Sequence, residues 1–372
     1  MRRVESTPMR TGTRTSVAMS ASVLSAFDAI LDVRSPTEFA DDHLPGAHNV
    51  PVLDDAERAR VGTLYKQVSP FEAKRIGAAL VARNIALHVE SFTGKLRSWR
   101  PLVVCWRGGK RSGAMAHVLR EIGWDAKTLE GGYKAYRRTV VEALERLPRR
   151  YVFRVVHGTT GSGKSRLLRA LDAAGAQVLD LEALAAHRGS VLGALPDRPQ
   201  PSQKMFESRL FATLGALDPG RPVFVEGESR RIGQVQLPTG LIEAMRAAVC
   251  LRLEADLETR VALLLEEYCH FFDDLAALNA QLDCLGDLHS RATVETWKTL
   301  AAQGEWHALV MRLLEAHYDP AYRRSAVRNF PRLGEAQVLA VSGVDTRAFA
   351  RLARTLASNG ERDARAGVPL GA

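Results

Sequence analysis

Apolar residues along this chain alternate between short unbroken runs and longer stretches in which they return at helical spacing. Ala29-Ile30-Leu31-Asp32-Val33, Leu102-Val103-Val104-Cys105 and Ala126–Leu129 predict buried strands, and Pro45–Pro51 predicts a turn with a short strand. Residues 55–98, with helical spacing clearest in Ala73–Val81, predict mainly helix, as do Ser112–Ile122 and Tyr133–Leu147. Pro148-Arg149-Arg150 interrupts the pattern. It resumes with strands at Tyr151–Val156, Gln177–Leu181, Pro222–Glu226, Ala248–Leu253 and Val338–Val341. Helices fall between them, notably Leu257–Phe271; 272–328 reads as helix and turn, and Thr346–Leu356 as a last amphipathic helix.

Strands alternating with helices predict parallel sheets covered on both faces. The expected class is therefore α/β, with one domain over 23–147 and a second over 151–358. The second carries a helical insertion at about 256–332. Residues 1–22, rich in Arg, Ser and Thr without an apolar segment, read as a disordered start rather than a secretory signal. Residues 359–372 read as a disordered tail.

Composition narrows the class. With 46% apolar and 25% charged residues among 372, collagen-like, coiled-coil and wholly disordered chains are excluded. No apolar run approaches the ~18 residues of a membrane span. The net charge of +9 is unevenly placed: residues 1–150 hold 25 Lys+Arg against 16 Asp+Glu, whereas 151–372 hold 26 of each. A basic first domain beside a neutral second suggests a polyanion partner on the basic side. The four cysteines, Cys105, Cys250, Cys269 and Cys284, form no CxxC pair, which fits a reducing, cytoplasmic setting. Cys269-His270 and Cys284…His289 lack zinc-site spacing, so no structural metal is expected.

Candidate chemistry begins at Cys105. The loop Cys105-Trp106-Arg107-Gly108-Gly109-Lys110-Arg111-Ser112 joins a strand to a helix. Successive N–H groups at such a junction form an anion-binding nest and favour thiolate at its base. Arg107, Lys110 and Arg111 add positive charge, while Gly108 and Gly109 permit the backbone turn. Cys105 is the candidate nucleophile. Together with Asp32–Phe39, His43–Pro51 and Leu129-Glu130-Gly131-Gly132-Tyr133, this loop resembles the rhodanese domain. In that family the loop cysteine carries a chalcogen adduct. Arg111 lies six residues after the cysteine, a spacing similar to that of rhodanese-like phosphatases, so a phosphate-handling role stays open.

Gly158-Thr159-Thr160-Gly161-Ser162-Gly163-Lys164-Ser165 satisfies G-x-x-x-x-G-K-[ST] between a predicted strand and helix. Its N–H groups and Lys164 suit a diphosphate, and the Ser165 hydroxyl suits Mg²⁺. The second domain is thus P-loop NTPase-like. Glu226 and Glu228, at the end of an apolar strand, are candidates to orient a metal or water. Arg230 and Arg231 are candidate anion contacts.

A rhodanese domain joined to a P-loop domain resembles the bacterial tRNA 2-selenouridine synthase family over nearly the whole chain. Further resembling segments are Glu57–Gln67, His187–Ser190, Pro199–Lys204, Glu226–Gly233 and Tyr318–Tyr322. The resemblance implies conversion of wobble 2-thiouridine to 2-selenouridine. Geranyl diphosphate and selenophosphate would be co-substrates, with an S-geranylated intermediate. It also implies the tRNA anticodon arm as partner, together with a selenophosphate-supplying enzyme. Arg97, Arg100, Arg107, Lys110, Arg137 and Arg138 are the expected RNA contacts, with Arg323 and Arg324 as the alternative. Two other readings remain: a P-loop kinase or phosphatase with a regulatory rhodanese module, and a non-catalytic tRNA-binding or sulfur-carrier protein.

Overall fold

Pro101–Val104, buried at all four positions, is the central strand of the first sheet. In chain order the strands are β1 (Ser16–Val17), β2 (Ala29–Asp32), β3 (Ala47–Asn49), β4 (Pro101–Val104) and β5 (Lys127–Leu129). In space they run β1-β5-β4-β2-β3, and every pairing is parallel. The structure, a computed structural model, describes residues 15–18, 25–341 and 343–365. The chain divides into two compact units, Met1–Val140 and Val141–Ala372. The division falls inside the helix Gly132–Arg146.

The second unit holds β6 (Phe153–Gly158), β7 (Gln177–Leu179), β8 (Val223–Glu226), β11 (Val249–Ala255) and β12 (Gln337–Val341), with a hairpin of β9 (Arg231–Ile232) and β10 (Val235–Gln236). Its main sheet runs β12-β11-β6-β8-β7, again all parallel. The chain therefore extends to one side of β6 first and to the other side afterwards. In open α/β sheets a crevice forms at the carboxyl end of such a switch point. The helix Lys164–Ala173 covers β6 and packs on the final helix Thr346–Arg365, through Leu167, Leu171, Phe349 and Leu356. Between β11 and β12 lies a helical segment with its own apolar core around Trp297, which is 1% exposed.

Three features depart from the sequence expectations. Residues 55–98 form two helices, Asp55–Gln67 and Pro70–Ser91, because Ser69 caps the second one. Its Oγ accepts from the N–H groups of Phe71 and Glu72, and Pro70 occupies the first turn, where no N–H is needed. Within the segment expected to be a disordered start, Ser16–Val17 instead complete the sheet edge. Thr128 N–H donates to Thr15 O at 3.0 Å, and Glu130 N–H donates to Val17 O at 2.8 Å. Residues 1–14 and 19–22 lie outside the described residues. The last helix continues through Arg365, beyond the expected start of the tail at 359; residues 366–372 lie outside the described residues. Among the described residues, no helix is long and apolar enough to cross a membrane.

Candidate functional site

Two loops carry the candidate chemistry, each leaving the carboxyl end of a central parallel strand. In the first unit, Cys105 follows β4, and the helix Lys110–Ile122 follows the loop. Cys105 is 3% exposed. Gly109 N–H points at Cys105 Sγ from 3.3 Å, and Ser112 Oγ lies 3.1 Å from it. In the sequence Ser112 only closes the loop; in the fold its burial makes it a direct neighbour of the sulfur.

The motif residues around this loop form its frame. Arg34 is 1% exposed and is held by Asp32, with Nη2 to Oδ2 at 2.6 Å, and by Asp42 O at 2.7 Å. Its guanidinium lies 3.9 Å over the Tyr133 ring. Tyr133 donates its hydroxyl to Asp42 Oδ2 at 2.8 Å and its N–H to Cys105 O at 2.9 Å. Gly132 has φ +57°, and a side chain there would begin 2.2 Å from Cys105 O. The Gly131-Gly132-Tyr133 segment thus seats directly under the cysteine turn.

The cations of this loop differ in state. Arg107 and Lys110 are exposed. Arg111 instead ties Nη1 to Glu38 Oε2 at 2.7 Å, so its charge is engaged within the unit. Burial raises the Glu38 carboxyl. The Arg111 hydrogen bond and charge, with Ser35 N–H and Arg58, outweigh burial and leave it below the usual range.

In the second unit, Gly158 ends β6 and Lys164 opens the following helix. Gly161 and Gly163 have φ of +80° and +86°, conformations that favour glycine. Lys164 Nζ folds back onto Gly158 O at 2.9 Å, and Ser165 Oγ donates to Glu182 Oε2 at 2.9 Å. Ser162 is buried. Beneath the loop, Arg260 donates Nε to Thr160 O at 2.8 Å and grips Asp319 with two bonds of 2.6 and 3.0 Å. A cleft of about 550 Å³ opens above it.

Carboxylates converge on this cleft. Asp180, Glu182 and Glu228 line it. Glu226 lies below, 1% exposed, and accepts Glu182 N–H at 2.7 Å. Burial pushes Glu182 up to about 7, aided by the Glu228 charge and opposed by Lys164 and Ser165. Burial raises Glu228 against the pull of Lys164, and raises Glu226 well above the usual range with the neighbouring carboxylates adding to it. His157, on β6, is pushed down to about 4 by burial and then by Lys164.

Arg230 and Arg231 are exposed and do not line the cleft; Arg231 donates Nε to Gly233 O at 2.8 Å within its own hairpin. The cleft arginines are Arg169, Arg188 and Arg198. Arg188 lies 4.6 Å over the Tyr268 ring and donates to Glu267 O. His317 and Tyr318 reach the cleft from a π-helical turn, Leu314–Tyr318. Cys269 and Cys284 are exposed, Cys250 is buried, and His289 pairs with His317 at 3.0 Å. Among the described residues, no three His, Cys, Asp or Glu side chains are placed to hold a metal ion.

Comparison with known proteins agrees with this division. Residues 19–139 match the model of the rhodanese-like domain, and 151–283 match the tRNA 2-selenouridine synthase AAA domain. A protein of Alcanivorax borkumensis named tRNA 2-selenouridine synthase is 33% identical over 332 residues, which is 79% of this chain and 88% of that protein. This chain belongs to the tRNA 2-selenouridine synthase family. A Cronobacter sakazakii member is 35% identical over 337 residues, covering 79% of this chain and 86% of its own. A Nitrosomonas europaea member is 38% identical over 250 residues, 64% of this chain and 63% of that protein, so the match spans less than two thirds of that relative.

For this tRNA 2-selenouridine synthase family member, the structure adds residues that sequence reasoning missed. Asp180 and Glu182 stand at the carboxyl end of β7, where α/β sheets gather ligands, and that position was the available signal. Arg188 and Asp319 sit in segments named by resemblance alone. Arg260 carried no signal, since a lone arginine in an apolar helix does not announce a partner 59 positions away.

Proposed function

We propose that this chain modifies the wobble uridine of tRNA, converting 2-thiouridine to 2-selenouridine in two stages. In the first, the uridine sulfur displaces diphosphate from geranyl diphosphate, forming a C–S bond as the C–O bond breaks. In the second, the selenium of selenophosphate bonds to the ring carbon that bears the sulfur as the S-geranyl group leaves as geranylthiolate, and water then cleaves the P–Se bond, releasing phosphate and leaving the 2-selenouridine. The observation that carries this reading is the presence of a cysteine loop at Cys105 and a glycine-rich loop at Gly158–Ser165, each between a central parallel strand and a helix, in one member of this family.

Lys164 and the loop N–H groups would bind the diphosphate and take up charge on it as it leaves. The Ser165 hydroxyl and the carboxylates of Glu182 and Glu228 form an all-oxygen set that suits Mg²⁺ once phosphate oxygens complete its shell. When bound, Mg²⁺ would supply further neutralisation of the diphosphate. Cys105, with Gly109 N–H and Ser112 Oγ as neighbours, would help displace the S-geranyl group, its thiolate adding to the ring carbon as geranylthiolate leaves and being displaced in turn by selenium. Selenophosphate has phosphate shape and suits the Cys105 nest. The partners in this reading are the tRNA anticodon arm and an enzyme supplying selenophosphate, and its setting is the cytoplasm.

Mass spectrometry of wobble nucleosides tests it. Cells with this chain and a selenium supply should contain 2-selenouridine. Cys105→Ser should abolish it while S-geranyl-2-thiouridine persists. Lys164→Ala should depress geranylation on the order of 10²-fold. Selenouridine at the normal level in Cys105→Ser would overturn the role of that cysteine, and ATP hydrolysis with no tRNA requirement would overturn the reading in favour of a kinase or phosphatase.

A further inference from the structure

Trp106 sits in the cysteine loop, directly after Cys105. Indole is among the largest apolar side chains, and the other four tryptophans of the chain are buried or half-buried. Trp106 is the exception, 38% exposed. Part of its ring is held by the fold: it lies 5.3 Å from the ring of Tyr133, which in turn carries the Arg34 guanidinium at 3.9 Å. Its backbone is pinned as well, because Lys134 N–H donates to Trp106 O at 3.0 Å and Tyr133 N–H donates to Cys105 O at 2.9 Å. The turn that follows is equally fixed, since Gly108 has φ +64° and a side chain there would begin 2.4 Å from Leu129 O. Contacts from Arg34 through Tyr133 to Trp106 thus run from the interior of the first unit to its surface, and end in an exposed indole on a fixed backbone. Arg107 and Lys110, in the same loop, are exposed, and neither is in an ion pair among the described residues.

We propose that Trp106 is a stacking platform for the wobble base and holds the uridine ring at the mouth of the loop that has Cys105 Sγ at its base. The proposal rests on the reading of Cys105 as the residue that acts on that uridine. Cys105 is 3% exposed, so a base that meets its thiol leaves its own stack in the RNA. A flat aromatic side chain holds such a base by restoring the stacking it gave up. A fixed ring makes a better platform than a mobile one, because little side-chain freedom is lost when the base arrives. The neighbouring cations suit the phosphates that flank the base. The roles then separate physically: Trp106 meets the base through its apolar face, while Arg107 and Lys110 meet phosphate through charge. A second protein is the less suitable occupant, because one indole beside two unpaired cations offers far less apolar area than a stable protein interface buries.

Equilibrium binding of the full chain to an anticodon stem-loop tests this, with the stem-loop carrying either 2-thiouridine or an abasic site at the wobble position. The unsubstituted chain should bind the abasic form about tenfold to 10²-fold more weakly, the scale of one base stacked on an aromatic ring. Trp106→Ala should bind the 2-thiouridine form more weakly by the same factor and lose nothing further with the abasic form, because the two changes remove one contact. Trp106→Phe should keep most of the affinity. Salt separates the platform from its neighbours: Trp106→Ala should leave the slope of log affinity against log salt unchanged, whereas Arg107→Gln should flatten it by about one. Equal affinity of the unsubstituted chain for the two stem-loops would overturn the proposal whatever the variants do. Losses that add, so that Trp106→Ala still distinguishes the two stem-loops by the full factor, would give the indole a structural role and overturn it too. Neither result touches the reading of Cys105, which the nucleoside measurement tests separately. Cys105→Ser keeps the indole and should keep the preference for the 2-thiouridine form.

Discussion

Asp32 and Arg34 show how much of a motif is scaffold. Both are fully buried, and the pair holds the Tyr133 ring that seats the Cys105 turn. Removing one partner leaves the other charge unpaired in the interior, which costs about 3–5 kcal/mol. Asp32→Ala should therefore destabilise the first unit by that amount and reduce Cys105 chemistry with it. Asp32→Ala combined with Arg34→Met should recover part of the loss, as measured by denaturant titration. Glu182 allows a pH test. Its carboxyl is raised from 4.5 to about 7, so its contribution to stability is fully present below about 4.5 and is lost as pH rises through about 7. Glu182→Gln should then stabilise the second unit at pH ~8 and be nearly neutral at pH ~4.5, with thermal unfolding as the readout. His157 works in the opposite sense. Its folded value of about 4 means that its contribution is present above 6.5 and is lost as pH falls towards 4. Comparing Glu182→Gln with the unsubstituted chain at each pH isolates the carboxyl.

At the scale of elements, the final helix reaches the phosphate loop from behind. A side chain on Gly163 would begin 2.5 Å from the Phe349 ring, and Phe349 is 2% exposed. The loop conformation thus depends on an element far along the chain. Phe349→Ala should cost about 3–5 kcal/mol, the scale of emptying a buried phenyl site. It should also weaken pyrophosphate binding more than a surface change on the same helix such as Arg351→Ala, which calorimetry and thermal unfolding together would show. The predicted strands were readable because central parallel strands are apolar without interruption, as in Leu102–Val104 and Val223–Val225. The break between Asp55–Gln67 and Pro70–Ser91 was readable in principle from Ser69-Pro70, but apolar spacing on either side masked it.

For the whole molecule, the excess positive charge lies in residues 1–150. Arg97, Arg107, Lys110 and Arg138 are exposed there. Arg100 pairs with Asp28 and Arg137 is half-buried, so these two are weaker candidates for RNA contact than the sequence suggested. Reversing Arg97 and Arg138 to Glu should weaken tRNA binding and flatten its dependence on log salt by about 1–2, roughly one unit for each phosphate that the chain no longer neutralises. Binding of pyrophosphate should be unchanged. Filter binding over a salt series measures the slope. A slope equal to that of the unsubstituted chain would move the RNA footprint to the second unit, where Arg323 and Arg324 are exposed.

The sequence by itself determined the α/β class, the cysteine turn and the phosphate loop. Each of these is set by neighbours in the chain: an apolar run, glycines that permit the turn, and a helix that begins directly after it. The tertiary structure decided which charges act together. It turned Arg111 inward to Glu38, left Arg230 and Arg231 on an outer hairpin, and brought Asp180 and Glu182 to Lys164 and Ser165. It also placed Arg260 and Asp319 under Thr160 and opened an apolar cavity beside the same residue. Such pairings cross tens of residues and depend on which strand lies next to which. Local spacing carries no record of that order, because Coulombic attraction and burial act through space and not along the chain.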